Sequence, residues 1–249
     1  MTWSVRAFVE HIMGMPISVH VRSADPHAVH VDGAVANVFA HLRKVDGVFS
    51  TWRADSDLIR IRRGELDQRD AHPWLAQVRA LTQEAETVTG GIFTTDLLGP
   101  DGTRGWDPTG LVKGWGVAGA AEYLREVDQI AFSINAGGDI VCGLGRGMGA
   151  YDMPWRVGVQ NPADPMRVVR VVEVVDGAVA TSGSAARGAH IIDPRTGHPV
   201  DRRGSVTVTG LDLSWADVWA TALYVKPTLR YPDGFAVDVY PTDESTVIM

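Results

Sequence analysis

The chain has 249 residues, of which 45% are hydrophobic and 21% charged, enough to bury one large core or two small ones. A formal net charge of −7 argues against a broad nucleic-acid footprint, and a single cysteine, Cys142, excludes an intrachain disulfide. No apolar run is long enough to cross a bilayer, and the opening MTWSVRAFVEHIMGM lacks a basic leader followed by an apolar core, so a soluble cytoplasmic protein is expected.

In chain order, SVRAFVEHI and ISVHV alternate like strands, with a turn expected around Gly14 and Pro16. Val31, Val35, Val38, Phe39, Leu42 and Val45 then recur at helical spacing and predict a long amphipathic helix. STWRADSDLIRI reads as a loop entering a short helix. Trp74, Val78, Leu81 and Ala85 mark another helix, stopped at Gly90-Gly91. Residues 91–110 are rich in turn formers. LVKGWGVAGAAEYLREV is a helix with many glycines, which calls for close backbone packing or a nearby ligand.

The second half carries more strands. IAFSINAGGDIVCG predicts two around a Gly-Gly turn, with Cys142 read as a small buried strand residue. MRVVRVVEVVDGAVATSG predicts a hairpin, because Asp176-Gly177 suits a tight type I′ turn. GSVTVTG follows as a strand, SWADVWATALYV as a helix and GFAVDVY as a last strand. Hairpins mixed with helices argue for an α+β fold with mixed, largely antiparallel sheets and flanking helices, and residues 1–249 read as a single domain.

Five segments could carry chemistry. In SWADVWATAL, Asp217 and Thr221 are one helical turn apart, so their oxygens share a face. Hard oxygen donors suit Mg²⁺, which takes few protein ligands and completes its octahedron with water and phosphate oxygens. Ser214 and Asp217 equally fit an S-x-x-D capping box, in which Asp217 would only serve helix amides. In DPTGLVKGWG, amides at a helix start could hold an anion beside Lys113. The alternative there is a plain loop-to-helix junction with an exposed lysine.

NAGGDIVCGLGRGMG tempts a dinucleotide-binding reading, but its glycine spacing is wrong and AYDMPW, not a helix, follows. A loop near a ligand remains open for it. In STWRADSDL, Trp52 beside Arg53 could stack on a planar ring, or be a half-buried loop residue. VATSGSAARGAHIIDPRTG combines hydroxyls with His190, Asp193 and Thr196. A neutral imidazole can take a proton near pH 7, yet the short AHIIDPRTGHPV span also reads as a tight turn. No G-x-S-x-G elbow supports a hydrolase triad.

Taken together, GLVKG, NAGGDI, ATSG, HIIDPRTG and ADVWATAL, in that order, resemble the ApbE family of FAD:protein FMN transferases. The resemblance implies an ApbE-like fold that binds FAD as donor, with Mg²⁺ on the pyrophosphate. It implies release of AMP and attachment of FMN by a phosphoester to a Thr or Ser of an acceptor flavoprotein; some members hydrolyse FAD to FMN and AMP instead. By that likeness Asp217 and Thr221 ligate Mg²⁺ with side-chain oxygens, helped by the carbonyls of Val112 and Ala220. His190 is the base, with Asp193 and Thr196 in the same catalytic segment. Trp52, Lys113, Gly137, Gly138, Asp139, Ser182, Gly183, His190 and Ile191 are the expected flavin-nucleotide contacts. A non-enzymatic FAD-binding or storage protein is the competing class. One departure is Gly119, where the family pattern closes GLVKGWGVAG with an Asp, so a contact is expected to be missing.

Overall fold

A computed structural model describes residues 3–98, 104–149, 151–183, 191–200 and 202–241. Strands β1 (Ser4–Ile12) and β2 (Met15–Ser23) form a hairpin. Met13 and Gly14 both have positive φ, 54° and 73°, as a type I′ turn requires. Pro16 lies within β2, opposite His11, rather than in the turn itself. Helix α1 (Val29–Phe49) buries Val31, Val35, Val38, Phe39, Leu42 and Val45 along one stripe. The short α2 (Asp57–Arg62) starts where Ser56 Oγ accepts the Ile59 amide at 3.2 Å. Helix α3 (Trp74–Val88) ends before Gly90 and Gly91, both in the left-handed region.

The turn-rich stretch holds a small ribbon, β3 (Asp96–Leu98) with β4 (Arg104–Trp106). Then come α4 (Thr109–Arg125), β5 (Ala131–Ala136), β6 (Asp139–Leu144), β7 (Trp155–Asn161), β8 (Asp164–Val174) and β9 (Gly177–Gly183). The remaining elements are the two-residue strands β10 (Ile192–Asp193) and β11 (His198–Pro199), then β12 (Gly204–Gly210), α5 (Leu213–Val225) and β13 (Ala236–Pro241). Seven strands form one sheet in the order β1-β2-β5-β6-β9-β12-β13, every neighbouring pair antiparallel. Helices α4 and α5 pack on each other and on this sheet, with α1 against α4.

The expected hairpin at Asp176-Gly177 does not form. β8 pairs with β7 in a separate ribbon, while β9 enters the large sheet between β6 and β12. Asp176 lacks the positive φ of a type I′ turn and instead accepts both arms of Arg125, at 2.9 and 3.2 Å. Composition explains the split. β8 carries Arg167, Arg170 and Glu173 and is exposed along most of its length, whereas β9 is small and apolar enough to be covered on both faces.

Strand alternation sorts β9 cleanly. Ala178 and Ala180 join the core under the helices, while Val179 faces the ribbon with Cys142, Val157 and Val174. Burial pushes the Cys142 thiol up to about 12, so it is the inert strand residue its apolar setting predicts. The glycines of α4 answer to packing. A Cβ at Gly116 would meet Val45 of α1 at 3.1 Å, and one at Gly119 would meet His41 Nε2 at 3.0 Å. Gly119 therefore lies against α1, lining a shallow hollow with His41, Trp74 and Tyr123.

Candidate active site

The site arises where the helix-facing side of β6 and β9 meets α4 and α5. Alternation puts Asp139 on the same face as Val141, and Ser182 on the same face as Ala180. Helix α5 supplies Asp217 and Thr221. Its N-cap is Asp212, whose Oδ1 accepts the Trp215 amide at 3.0 Å, so Asp217 is not needed as a cap. Instead Asp217 is 4% exposed, and it and Thr221 both face a cleft. Thr221 Oγ1 sits 3.0 Å from Ser182 Oγ.

Helix α4 comes close because Gly114 has no side chain. A Cβ there would stand 2.9 Å from the Leu213 carbonyl oxygen and 3.2 Å from Asp217 Cβ. The adjacent Lys113 consequently reaches into the site. Its Nζ forms an ion pair with Asp139 Oδ2 and lies 3.9 Å from Asp217 Oδ2. Asp139 is 1% exposed, and its Oδ1 accepts the Thr181 amide at 3.2 Å. The exposed-junction reading of Lys113 is thus replaced by a lysine drawn in between two buried carboxylates, its side chain 22% exposed.

The cleft has a volume of about 1250 Å³. Its wall includes Val112, Lys113, Gly137, Gly138, Ser182, Gly183, Ile191, Asp217 and Thr221, so most of the expected contacts share one space. Gly137 and Gly138 form the β5–β6 turn with φ of 63° and 98°, and the Gly138 amide donates to Asn135 Oδ1 at 2.9 Å. Among the described residues beyond its chain neighbours, no heavy atom stands within 4 Å of where a Gly138 Cβ would be, so Gly138 offers bare backbone to the cleft, while a Cβ at Gly137 would meet Met15 Sδ at 2.9 Å. Trp52 is 95% exposed on the rim, which sets aside the half-buried reading and leaves its ring face open.

Four expected residues sit differently: Asp139 is not on the cleft wall and meets Lys113 instead, and three others lie elsewhere. Asp193 holds Arg195 through both carboxylate oxygens at 2.7–3.0 Å, which keeps its carboxyl below the usual range, and its carbonyl closes the turn to Thr196 and Gly197. Thr196 caps the His198 amide at 3.3 Å. Both build the β10–β11 turn, and neither is on the cleft wall; Ala220 is fully buried in α5 behind it. His190 lies outside the described residues. Missing from the sequence reading is the β7 end of the ribbon, where Gln160 and Asn161 line the cleft; WRVGVQN ahead of an Asn-Pro turn was the available signal.

Among the described residues no group of three His, Cys, Asp or Glu side chains could cage a metal. The donors present are nonetheless those of a Mg²⁺ site completed by phosphate: one buried carboxylate, with a threonine and a serine hydroxyl beside it. They fit the ion the family resemblance implies.

Comparison with known proteins now bears on this arrangement. The ApbE family model matches residues 101–233, which include α4, β6, β9 and α5. The chain belongs to the ApbE family. The FAD:protein FMN transferase of Vibrio cholerae is 37% identical over 130 residues, covering 48% of this chain and 38% of its own length. That of Salmonella typhimurium is 36% identical over 118 residues, covering 43% of this chain and 33% of its own length. The match thus spans about a third of the length of these curated relatives. Among solved structures, the flavin transferase ApbE from Vibrio cholerae superposes with a TM-score of 0.72 at 22% identity, over 97% of this chain and 98% of that one. The ApbE protein of Thermotoga maritima gives 0.72 at 20% identity, over 89% and 87%. The expected α+β, ApbE-like fold is what the chain adopts. No helix among the described residues is long and apolar enough to cross a membrane.

Proposed function

We propose that the protein is a Mg²⁺-dependent FAD:protein FMN transferase, with the whole chain acting as one flavin-transferase domain. The observation that carries this reading is the convergence of Asp217, Thr221, Ser182 and Lys113 on one cleft of about 1250 Å³, with the buried Asp139 paired to Lys113. That space exceeds the ~300–1,000 Å³ usual for small-molecule pockets and suits an extended dinucleotide. The curated relatives named above carry the same activity in their names.

In this reading FAD lies along the cleft with its diphosphate over the α4–α5 contact. Trp52 stacks on the flavin ring, and the Gly137-Gly138 turn, Gly183 and Ile191 line the nucleotide. Asp217 and Thr221 would hold Mg²⁺, aided by the carbonyl of Val112, which lines the same cleft. When bound, the ion neutralises the diphosphate and stabilises the leaving phosphate. Lys113 adds a second positive charge where negative charge accumulates.

The acceptor hydroxyl oxygen forms a new bond to the phosphorus of the FMN half. The bond from that phosphorus to the bridging oxygen breaks, and AMP departs with that oxygen. His190 takes the hydroxyl proton, a contribution of about 10²–10⁴-fold for general bases. Asp193 and Thr196 support this by holding the turn that follows His190 in sequence, not by touching substrate. An acceptor flavoprotein with a modifiable Thr or Ser completes the reaction.

Incubation with FAD, Mg²⁺ and candidate acceptor proteins tests the proposal, read by in-gel flavin fluorescence and AMP release. Fluorescent acceptor with matching AMP is expected. Steady FMN and AMP release without any acceptor would make the protein a FAD diphosphatase. FAD binding with no AMP under any metal or acceptor would make it a binding or storage protein.

A further inference from the structure

Lys113 holds an unusual position for a phosphate ligand. Its ammonium forms an ion pair with Asp139, which is 1% exposed, yet it stands only 3.9 Å from Asp217, the carboxylate assigned to the cation. A divalent ion at Asp217 and an ammonium this close repel each other strongly in a partly buried site. Two carboxylates therefore share one lysine, and the share each takes sets how negative Asp217 looks to an arriving ion.

We infer that Lys113 is a built-in counter-ion of the metal carboxylate, and that Asp139 is a positioning residue that raises cation affinity by drawing the ammonium away from Asp217. The inference rests on the proposed metal site at Asp217 and Thr221 and deepens it. Asp139 suits the task. Its other oxygen accepts the Thr181 amide at 3.2 Å, so the carboxylate is anchored to β9. Gly114 fixes the other side, because α4 can bring Lys113 this near Asp217 only while position 114 lacks a Cβ. With FAD present, the diphosphate gives the same ammonium a third anionic partner, so cation and dinucleotide bind with mutual support.

Mn²⁺ binding to the full chain tests this without any turnover, followed by loss of the free-ion EPR signal, alone and with ADP as a diphosphate probe. Asp139→Asn keeps an oxygen for the Thr181 amide and removes both the charge and the acceptor that face Lys113. It should weaken Mn²⁺ binding by roughly ten-fold or more. Lys113→Met should tighten it by a similar factor. The double variant should return to wild-type affinity or better, because the competing ammonium is gone.

Equally weak binding in Asp139→Asn and the double variant would overturn the inference, since Asp139 would then be a direct ligand. Weaker binding in Lys113→Met would also overturn it. Absence of Mn²⁺ binding in wild type and Lys113→Met, with and without ADP, would remove the metal site itself. Loss of the wild-type affinity in Asp217→Asn is required in every case. Thermal melts check that each variant folds; if Asp139→Asn does not, the sign of the Lys113→Met change alone decides.

Discussion

Replacing Gly114 by alanine probes how the two helices hold the site together. The added methyl would stand 2.9 Å from the Leu213 carbonyl oxygen and 3.2 Å from both Asp217 Cβ and Ser214 Cα. Two of these three neighbours are backbone atoms, so α4 and α5 must move apart for it to fit. Overpacking of this kind costs about 1–3 kcal/mol. Alanine is the better helix former by about 1 kcal/mol, which offsets part of the loss. A net destabilisation of about 1 kcal/mol, and at most about 2, is expected in urea denaturation. Gly33→Ala is the matched control. Gly33 lies in α1, and among the described residues nothing outside its own helical turn stands within 4 Å of its missing Cβ, so only the propensity gain applies and stability should rise by about 0.5–1 kcal/mol. Because the clash at Gly114 falls on Asp217 itself, that variant should also bind Mn²⁺ more weakly, while Gly33→Ala should not. If both variants gain stability equally, the close α4–α5 contact is not real.

Other perturbations separate the remaining parts. Trp52→Ala should leave stability within about 0.5 kcal/mol, because the side chain is 95% exposed, yet raise the FAD dissociation constant roughly ten-fold by titration calorimetry; unchanged FAD affinity would take Trp52 out of the site. His190→Ala should keep FAD binding and lose transfer by roughly 10²–10⁴-fold; lost FAD affinity with normal turnover of bound FAD would make His190 a binding group. Cys142, with its pKa raised to about 12 by burial, stays protonated in the folded chain at pH 8. Its labelling by a thiol reagent should therefore follow global unfolding, and rapid labelling of native protein would contradict its burial.

Local pattern carried most of the fold. The stripe from Val31 to Val45 and the alternation of ISVHV and GSVTVTG each point to one element, and those elements formed. The failure at Asp176-Gly177 was one of partners rather than of elements. Strand β8 exists, but its arginines keep it out of a sheet covered on both sides, and adjacency in sequence does not reveal that. In the site, Asp217 and Thr221 were legible as a pair because one helical turn separates them. Lys113 and Asp139 were each visible alone, but their contact depends on which face of β6 Asp139 occupies and on how near Gly114 lets α4 approach. Asp193 and Thr196 are read differently in the folded chain. Their residue types suit chemistry, yet a carboxylate two residues before an arginine closes its own turn.

The central claim is spatial: a dinucleotide's diphosphate meets a divalent cation at Asp217 and Thr221. A crystal structure with FAD and Mn²⁺, the metal located by its anomalous signal, addresses it most directly. The account predicts a metal peak in direct contact with the Asp217 carboxylate and a phosphate oxygen of FAD, with the flavin reaching toward Trp52. A metal elsewhere, or a FAD whose diphosphate lies away from α5, would contradict it.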